Sequence, residues 1–153
     1  NESARGTYAG FTLAHGRGHF VRALLEGTAY AVRDITTQMQ TAGIELHELR
    51  IVGGGAKSSL WNQIKADVTG LQVNVPEITE TTALGAAFLA LVGIGAYRNL
   101  PEASEPIVKI RQRIDPNPDA ESIYAKAYER YRNTYFTLLP LFEAAARQTS
   151  DRS

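Results

Sequence analysis

Three consecutive glycines stand between a short branched-rich run and a serine-led helical pattern, in Val52-Gly53-Gly54-Gly55-Ala56-Lys57-Ser58-Ser59. Residues without a Cβ let the backbone turn sharply and let a ligand come close to the main chain. Residues 49–52 read as a strand, and Ser58 or Ser59 can cap a helix running towards Val68. The unit is strand, turn, helix, which points to an α/β fold. A phosphate or an adenosine would meet exposed amides there, the partial positive charge of a helix start and a serine hydroxyl. Lys57 could meet a phosphate tail or simply face solvent. The spacing matches neither the P-loop nor the dinucleotide fingerprint, so the residues alone leave both a structural turn and a ligand contact open.

Periodicity supplies the neighbouring elements. From His19 a long helix carries Val21, Leu24, Leu25, Thr28, Val32, Ile35 and Met39 on one side and stops at Gly43. The helix after the glycines has Leu60, Trp61, Ile64 and Val68 on its apolar side, Asn62 and Lys65 on its wet side, and Gly70 at its end. Residues 72–75 form a second strand, closed by Pro76 at an edge or exit. Both strands are expected in one mixed or parallel sheet flanked by helices. Thr81 or Thr82 caps the next helix, where Gly85 among small residues suggests a tight contact. Four prolines within residues 100–119 read as a surface crossing. A helix over 120–139 follows, with Tyr124, Ala127, Tyr128, Tyr131, Tyr135 and Leu138 as its packing stripe, and the chain frays after Phe142. Residues 7–13 read as a strand or an irregular lead-in.

Composition narrows the function. The 153 residues suit one domain, with 44% apolar content for its core. Sixteen basic and sixteen acidic side chains cancel, which gives no support to a nucleic-acid track or an anionic membrane partner. Cysteine is absent, so disulfides and thiolate chemistry drop out. The most apolar stretch, residues 83–92, has about half the roughly 20 residues a bilayer crossing needs. His15, His19 and His47 are too scattered for a metal site, and Asp67, Glu77 and Glu80 read as capping or surface carboxylates with no proton to abstract.

Together these segments carry a resemblance. Gly10-Phe11, His15, residues 22–27, the block from Gly53 to Gly70, residues 80–87 and the tyrosine-rich helix closely resemble the carboxy-terminal part of the FGGY carbohydrate kinases, within them the xylulose kinases. The resemblance implies a partial ribonuclease-H-like domain of the actin and sugar-kinase type over residues 1–142, with a flexible tail over 143–153. It implies nucleotide contacts at Gly54, Gly55, Ala56 and Ser59, with Lys57 on the phosphate side, and ATP and magnesium as cofactors. The implied reaction is phosphorylation of a ketopentose, D-xylulose, in a cytoplasmic parent. That family's catalytic aspartate, sugar contacts and phosphate-holding segments are expected before Asn1, in a missing amino-terminal part, so the isolated chain is expected to be inactive. A homodimer stays open, and neither nucleic acid nor membrane is expected as partner. The rival readings are a non-catalytic interaction or assembly module built on the small-residue and tyrosine helices, and a kinase fragment specific for another sugar or polyol.

Overall fold

A computed structural model describes residues 2–150 of the chain. Its three strands, β1 (Glu48–Arg50), β2 (Gln72–Pro76) and β3 (Ile110–Ile114), form one sheet in that order. β1 and β2 run parallel, with Leu49 opposite Val73, and β3 closes antiparallel on β2. A parallel pair needs a crossover, and helix α2 (Ser59–Thr69) supplies it. The two strands expected from sequence therefore share one mixed sheet. Pro76 sits at the exit of β2, where the register slips between Val75 and Pro76.

Residues 100–119 are more than a crossing. They contain helix α4 (Leu100–Ser104), β3 and a 3-10 turn at Pro118–Ala120. The expectation fails because β3 is an edge strand whose Arg-Gln-Arg centre stays exposed, with burial complete only at Ile114. Charges on an edge blunt further pairing, but they also erase the apolar signal of a strand.

α2 lies between two cores. One gathers Ile64 and Val68 of α2 with Ala29 and Tyr30 of α1 (Arg17–Thr41) and Tyr124 of α5 (Glu121–Ser150). The other packs Ala66 against Val73, Val75, Ile114 and Ala56. A helix covered on two sides has little wet surface, which corrects the expected polar face: Asn62 is fully buried and Lys65 nearly so, whereas Leu60 is exposed. α1 differs in the same way. Its contact face is Leu25, Ala29 and Tyr30, and the stripe of Val21, Leu24, Ile35 and Met39 faces outward.

α1 is joined to α5 by polar groups as well. Arg22 Nε donates to Glu26 Oε1 at 2.7 Å, and Arg22 Nη2 donates to Tyr124 Oη at 2.7 Å. The tyrosine row packs, as its spacing predicts, around Tyr30, whose ring centroid lies 5.3–6.4 Å from those of Tyr124, Tyr128 and Tyr131. α5 does not stop near Leu139. It contains Pro140 and continues through Ser150, into the segment read as a tail, whose last residues, 151–153, lie outside the described ones. The lead-in before α1 is irregular, with Phe11 stacked on Phe20 at 3.9 Å. Helix α3 (Thr81–Gly93) leaves Ala83, Ala86 and Ala87 exposed, and a Cβ at Gly85 would meet nothing within 4 Å, so the tight contact expected there is not made among the described residues. Among those residues no helix is long and apolar enough to cross a membrane.

Candidate functional site

The glycine turn leaves β1 at the carboxyl edge of the parallel pair, the edge at which open α/β sheets bind their ligands. Ile51 N still donates to Asn74 O at 3.0 Å, after which Gly53 N donates to Thr79 O at 3.0 Å and ties the turn to the segment entering α3. Val52, Pro76, Ile78, Thr81 and Leu84 line a hollow of about 200 Å³ between them. The glycine turn and the entry to the small-residue helix thus lie at one edge. A larger groove of about 460 Å³ lies between α1 and α5, around Ile35, Met39, Tyr131 and Tyr135, and shares no residue with the turn.

Each glycine has its own reason. Gly53 has φ +73° and ψ −165°, a conformation open essentially to glycine alone. At Gly54 a Cβ would meet nothing within 4 Å, and the residue is exposed. A Cβ on Gly55 would sit 3.0 Å from Trp61 Cζ3. A short 3-10 turn, Gly54–Lys57, follows, and Ser58 Oγ caps α2 by accepting from Trp61 N at 3.3 Å. Of the residues read as nucleotide contacts, Gly54 and Ser59 are exposed and Gly55 is half-buried. Ala56 is turned inward: its methyl lies in the sheet-side core, its N–H donates to Gly53 O at 3.1 Å and its carbonyl accepts from Asn62 Nδ2 at 2.9 Å. Lys57 is exposed.

Sequence reasoning missed the support beneath the turn. Trp61 Nε1 donates to Thr28 Oγ1 of α1 at 3.1 Å, and Lys65 Nζ lies 3.9 Å from the centre of the Trp61 ring. Burial holds the Lys65 amine below its ordinary pKa. The signal was present as Trp61-Asn62 six residues after Gly55-Ala56, but a pattern that assigns Asn62 and Lys65 to solvent hides it.

Among the other polar candidates, Asp67 and the histidines have local partners. Asp67 Oδ1 accepts from Gln63 Nε2 and from Asn117 N, both at 2.8 Å, and so anchors the turn before α5. Glu80 occupies the N-cap position of α3 without a side-chain capping bond, and Glu77 is exposed. His15 Nδ1 accepts from Thr12 N at 2.9 Å and His19 Nδ1 from Gly16 N at 3.1 Å, which closes the lead-in onto α1. His47 stands on the surface beside Glu45.

A mixed sheet flanked by helices, with a glycine turn at its ligand-bearing edge, is consistent with the sugar-kinase and actin class of ATPase domain. The family model for the C-terminal domain of the FGGY family of carbohydrate kinases matches residues 1–94, and the chain belongs to that family. It is 35% identical over 132 residues to the L-xylulose/3-keto-L-gulonate kinase of Escherichia coli K12, covering 86% of this chain and 26% of that protein. It is 40% identical over 130 residues to a glycerol kinase of Aliivibrio fischeri, covering 84% of this chain and 25% of that protein. Among solved structures, the xylulose kinase of Rhodospirillum rubrum superposes with a TM-score of 0.80 at 32% identity, over 92% of this chain and 28% of that one. The Plasmodium falciparum glycerol kinase with ADP gives a TM-score of 0.67 at 31% identity, over 84% of this chain and 27% of that one. The chain spans about a quarter of the length of the curated relatives it matches.

Proposed function

We propose that this chain forms the adenosine-side wall of a larger ATP-dependent kinase that phosphorylates a small ketose or polyol, with D-xylulose as the first substrate. The observation that carries the reading is the glycine turn at the carboxyl edge of β1 and β2, with Gly54 exposed and nothing within 4 Å of its Cβ position. Main chain without side chains is what a nucleoside needs for close approach. Gly54, Gly55 and Ser59 meet the nucleoside, Ala56 pins the turn from the core side, and Lys57 reaches towards the phosphates.

This chain binds and orients; the base, the sugar contacts and the segments around the ATP phosphates belong to the rest of the enzyme. Phosphoryl transfer draws most of its rate from positioning and electrostatics, so a correctly held adenosine contributes to the chemistry from a distance. Magnesium would neutralise phosphate charge in the complete enzyme. Its site is assigned, with the phosphates it would neutralise, to the remainder of the enzyme. We infer a cytoplasmic parent, ATP being abundant there.

The test uses the complete kinase. Gly54→Val adds bulk where the fold leaves room, so the variant should fold normally. It should bind ADP at least about tenfold more weakly, as expected when added bulk meets a close-packed contact. Sugar affinity should be unchanged. An unchanged ADP affinity in the folded variant would remove the turn from the nucleotide site. Specificity is settled by kcat/KM on D-xylulose, glycerol and D-gluconate, and a preference for glycerol would replace the ketose by a polyol. The isolated chain, folded by circular dichroism, should make no sugar phosphate from magnesium-ATP and D-xylulose.

A further inference from the structure

We propose that Trp61 is a positioning residue for the nucleotide: its ring is the floor that sets the height of the glycine turn, and Thr28 of α1 holds that floor in place. The inference rests on the nucleotide reading of the turn and goes beyond it by naming what keeps the turn in register.

Two consecutive residues of α2 hold two consecutive residues of the turn. The Trp61 ring lies under Gly55, with Cζ3 and Cε3 at 3.0 and 3.5 Å from the position a Cβ would take. Asn62, fully buried, donates to the carbonyl of Ala56 at 2.9 Å. The indole is not free to slide. Its N–H is committed to Thr28 Oγ1, and that hydroxyl spends its own proton on Leu25 O at 2.8 Å, inside α1. The ammonium of Lys65 covers the ring at 3.9 Å, close enough for a cation–π attraction.

Trp61 is only half-buried and belongs to neither hydrophobic core, so its place is not explained by filling one. It stands where α1, α2 and the turn meet. A methyl added at 3.0 Å would be tolerable only if the neighbour could give, and a ring fixed at its edge and covered on a face gives little. The ring thus limits how far the turn can sink at Gly55, and the Thr28 bond ties that limit to α1, so that on this proposal a shift of α1 reaches the nucleotide without any α1 residue touching it.

The experiment is a double-mutant cycle in the complete kinase, read by ADP affinity, sugar affinity and thermal midpoint. Gly55→Ala should weaken ADP binding about tenfold by lifting the turn off the ring. Trp61→Phe removes the outer ring atoms that the new methyl would strike. In that background Gly55→Ala should cost no more than about twofold, the remainder being coupling between the pair. Thr28→Val, of the same shape, should weaken ADP severalfold and leave sugar affinity unchanged. An equal Gly55→Ala penalty in both backgrounds would overturn the proposal, because the nucleotide would then be meeting the methyl directly. Gly54→Val would still weaken ADP in that case, and the nucleotide site would stand. If Gly54→Val is without effect, the site reading falls and this inference with it. A measurement on the unaltered protein guards against variants that fail to fold. In 5-fluorotryptophan-labelled kinase the Trp61 resonance, assigned by its loss in Trp61→Phe, should shift on ADP saturation, and an unmoved resonance would overturn the floor.

Discussion

The three glycines of the turn look alike in sequence and do three different things. Gly53 holds a backbone angle that glycine alone adopts readily, Gly54 opens onto free space and Gly55 faces the Trp61 ring. Substitution separates them: Gly53→Ala should cost about 1–3 kcal/mol of stability through strain alone, whereas Gly54→Ala should cost less than about 0.5 kcal/mol. Urea denaturation of the two variants checks this, and equal losses would contradict it. That a glycine turn was present was legible from the residues; which glycine served which end was not, because φ and the position of Trp61 are properties of the fold. Glu48 gives a second residue-scale test. Its carboxylate accepts from Arg50 at 2.6 Å and from Asn74 Nδ2, and the Arg50 bond first of all lowers its pKa below the ordinary 4.5. A depressed carboxylate stabilises the fold above the unfolded value and loses that contribution as pH falls through the folded one. Glu48→Gln should therefore be less stable than the parent at pH 7, and the gap should close as pH falls below 4.5. A gap of the same size at pH 3 would assign the loss to shape rather than charge.

At the scale of elements, α1 and α5 are held by two tyrosines in opposite electrostatic situations. Tyr124 Oη accepts from Arg22 and donates to Glu26 Oε1 at 3.2 Å, so its hydroxyl bridges the helices. The hydroxyl of Tyr30 is buried and has no hydrogen-bond partner among the described residues, and burial pushes its pKa well up. Tyr124→Phe should destabilise by about 1–2 kcal/mol, while Tyr30→Phe should be neutral or stabilising, since it removes an unsatisfied polar atom. Denaturation midpoints compare the two, and equal losses would mean that packing, not the hydroxyl, decides both. Helix existence was readable here because α1 and α5 are long and periodic. Facing was not: α1 has two faces that could be buried, and the one taken up is the face that fits Tyr124 and Val68. β3 escaped notice for the reason that makes it a good edge, its charged centre. Pro140 lacks the N–H that a helix interior would use, yet α5 passes through it. Pro140→Ala should raise stability if the turn around it is otherwise unstrained.

Across the whole molecule, apolar side chains are left on outward faces, Val21, Leu24 and Ile35 on α1 and Leu89 on α3. Patches of this kind mark surfaces that are covered in an assembled protein. With the chain spanning about a quarter of its relatives' length, we propose the remainder of the kinase as their cover. The isolated chain should then bind an apolar dye more strongly per mole than the complete kinase, and equal binding would argue for a face left bare in both. The position of α2 between two cores has a kinetic consequence. A helix with one covered side can lift away by itself, but α2 cannot leave the sheet without also releasing α1 and α5. Its amide protons, with those of β2, should trade with solvent deuterium only when the entire fold opens, and so report the global unfolding free energy, while the first turns of α3 and the lead-in before α1 exchange through smaller local openings.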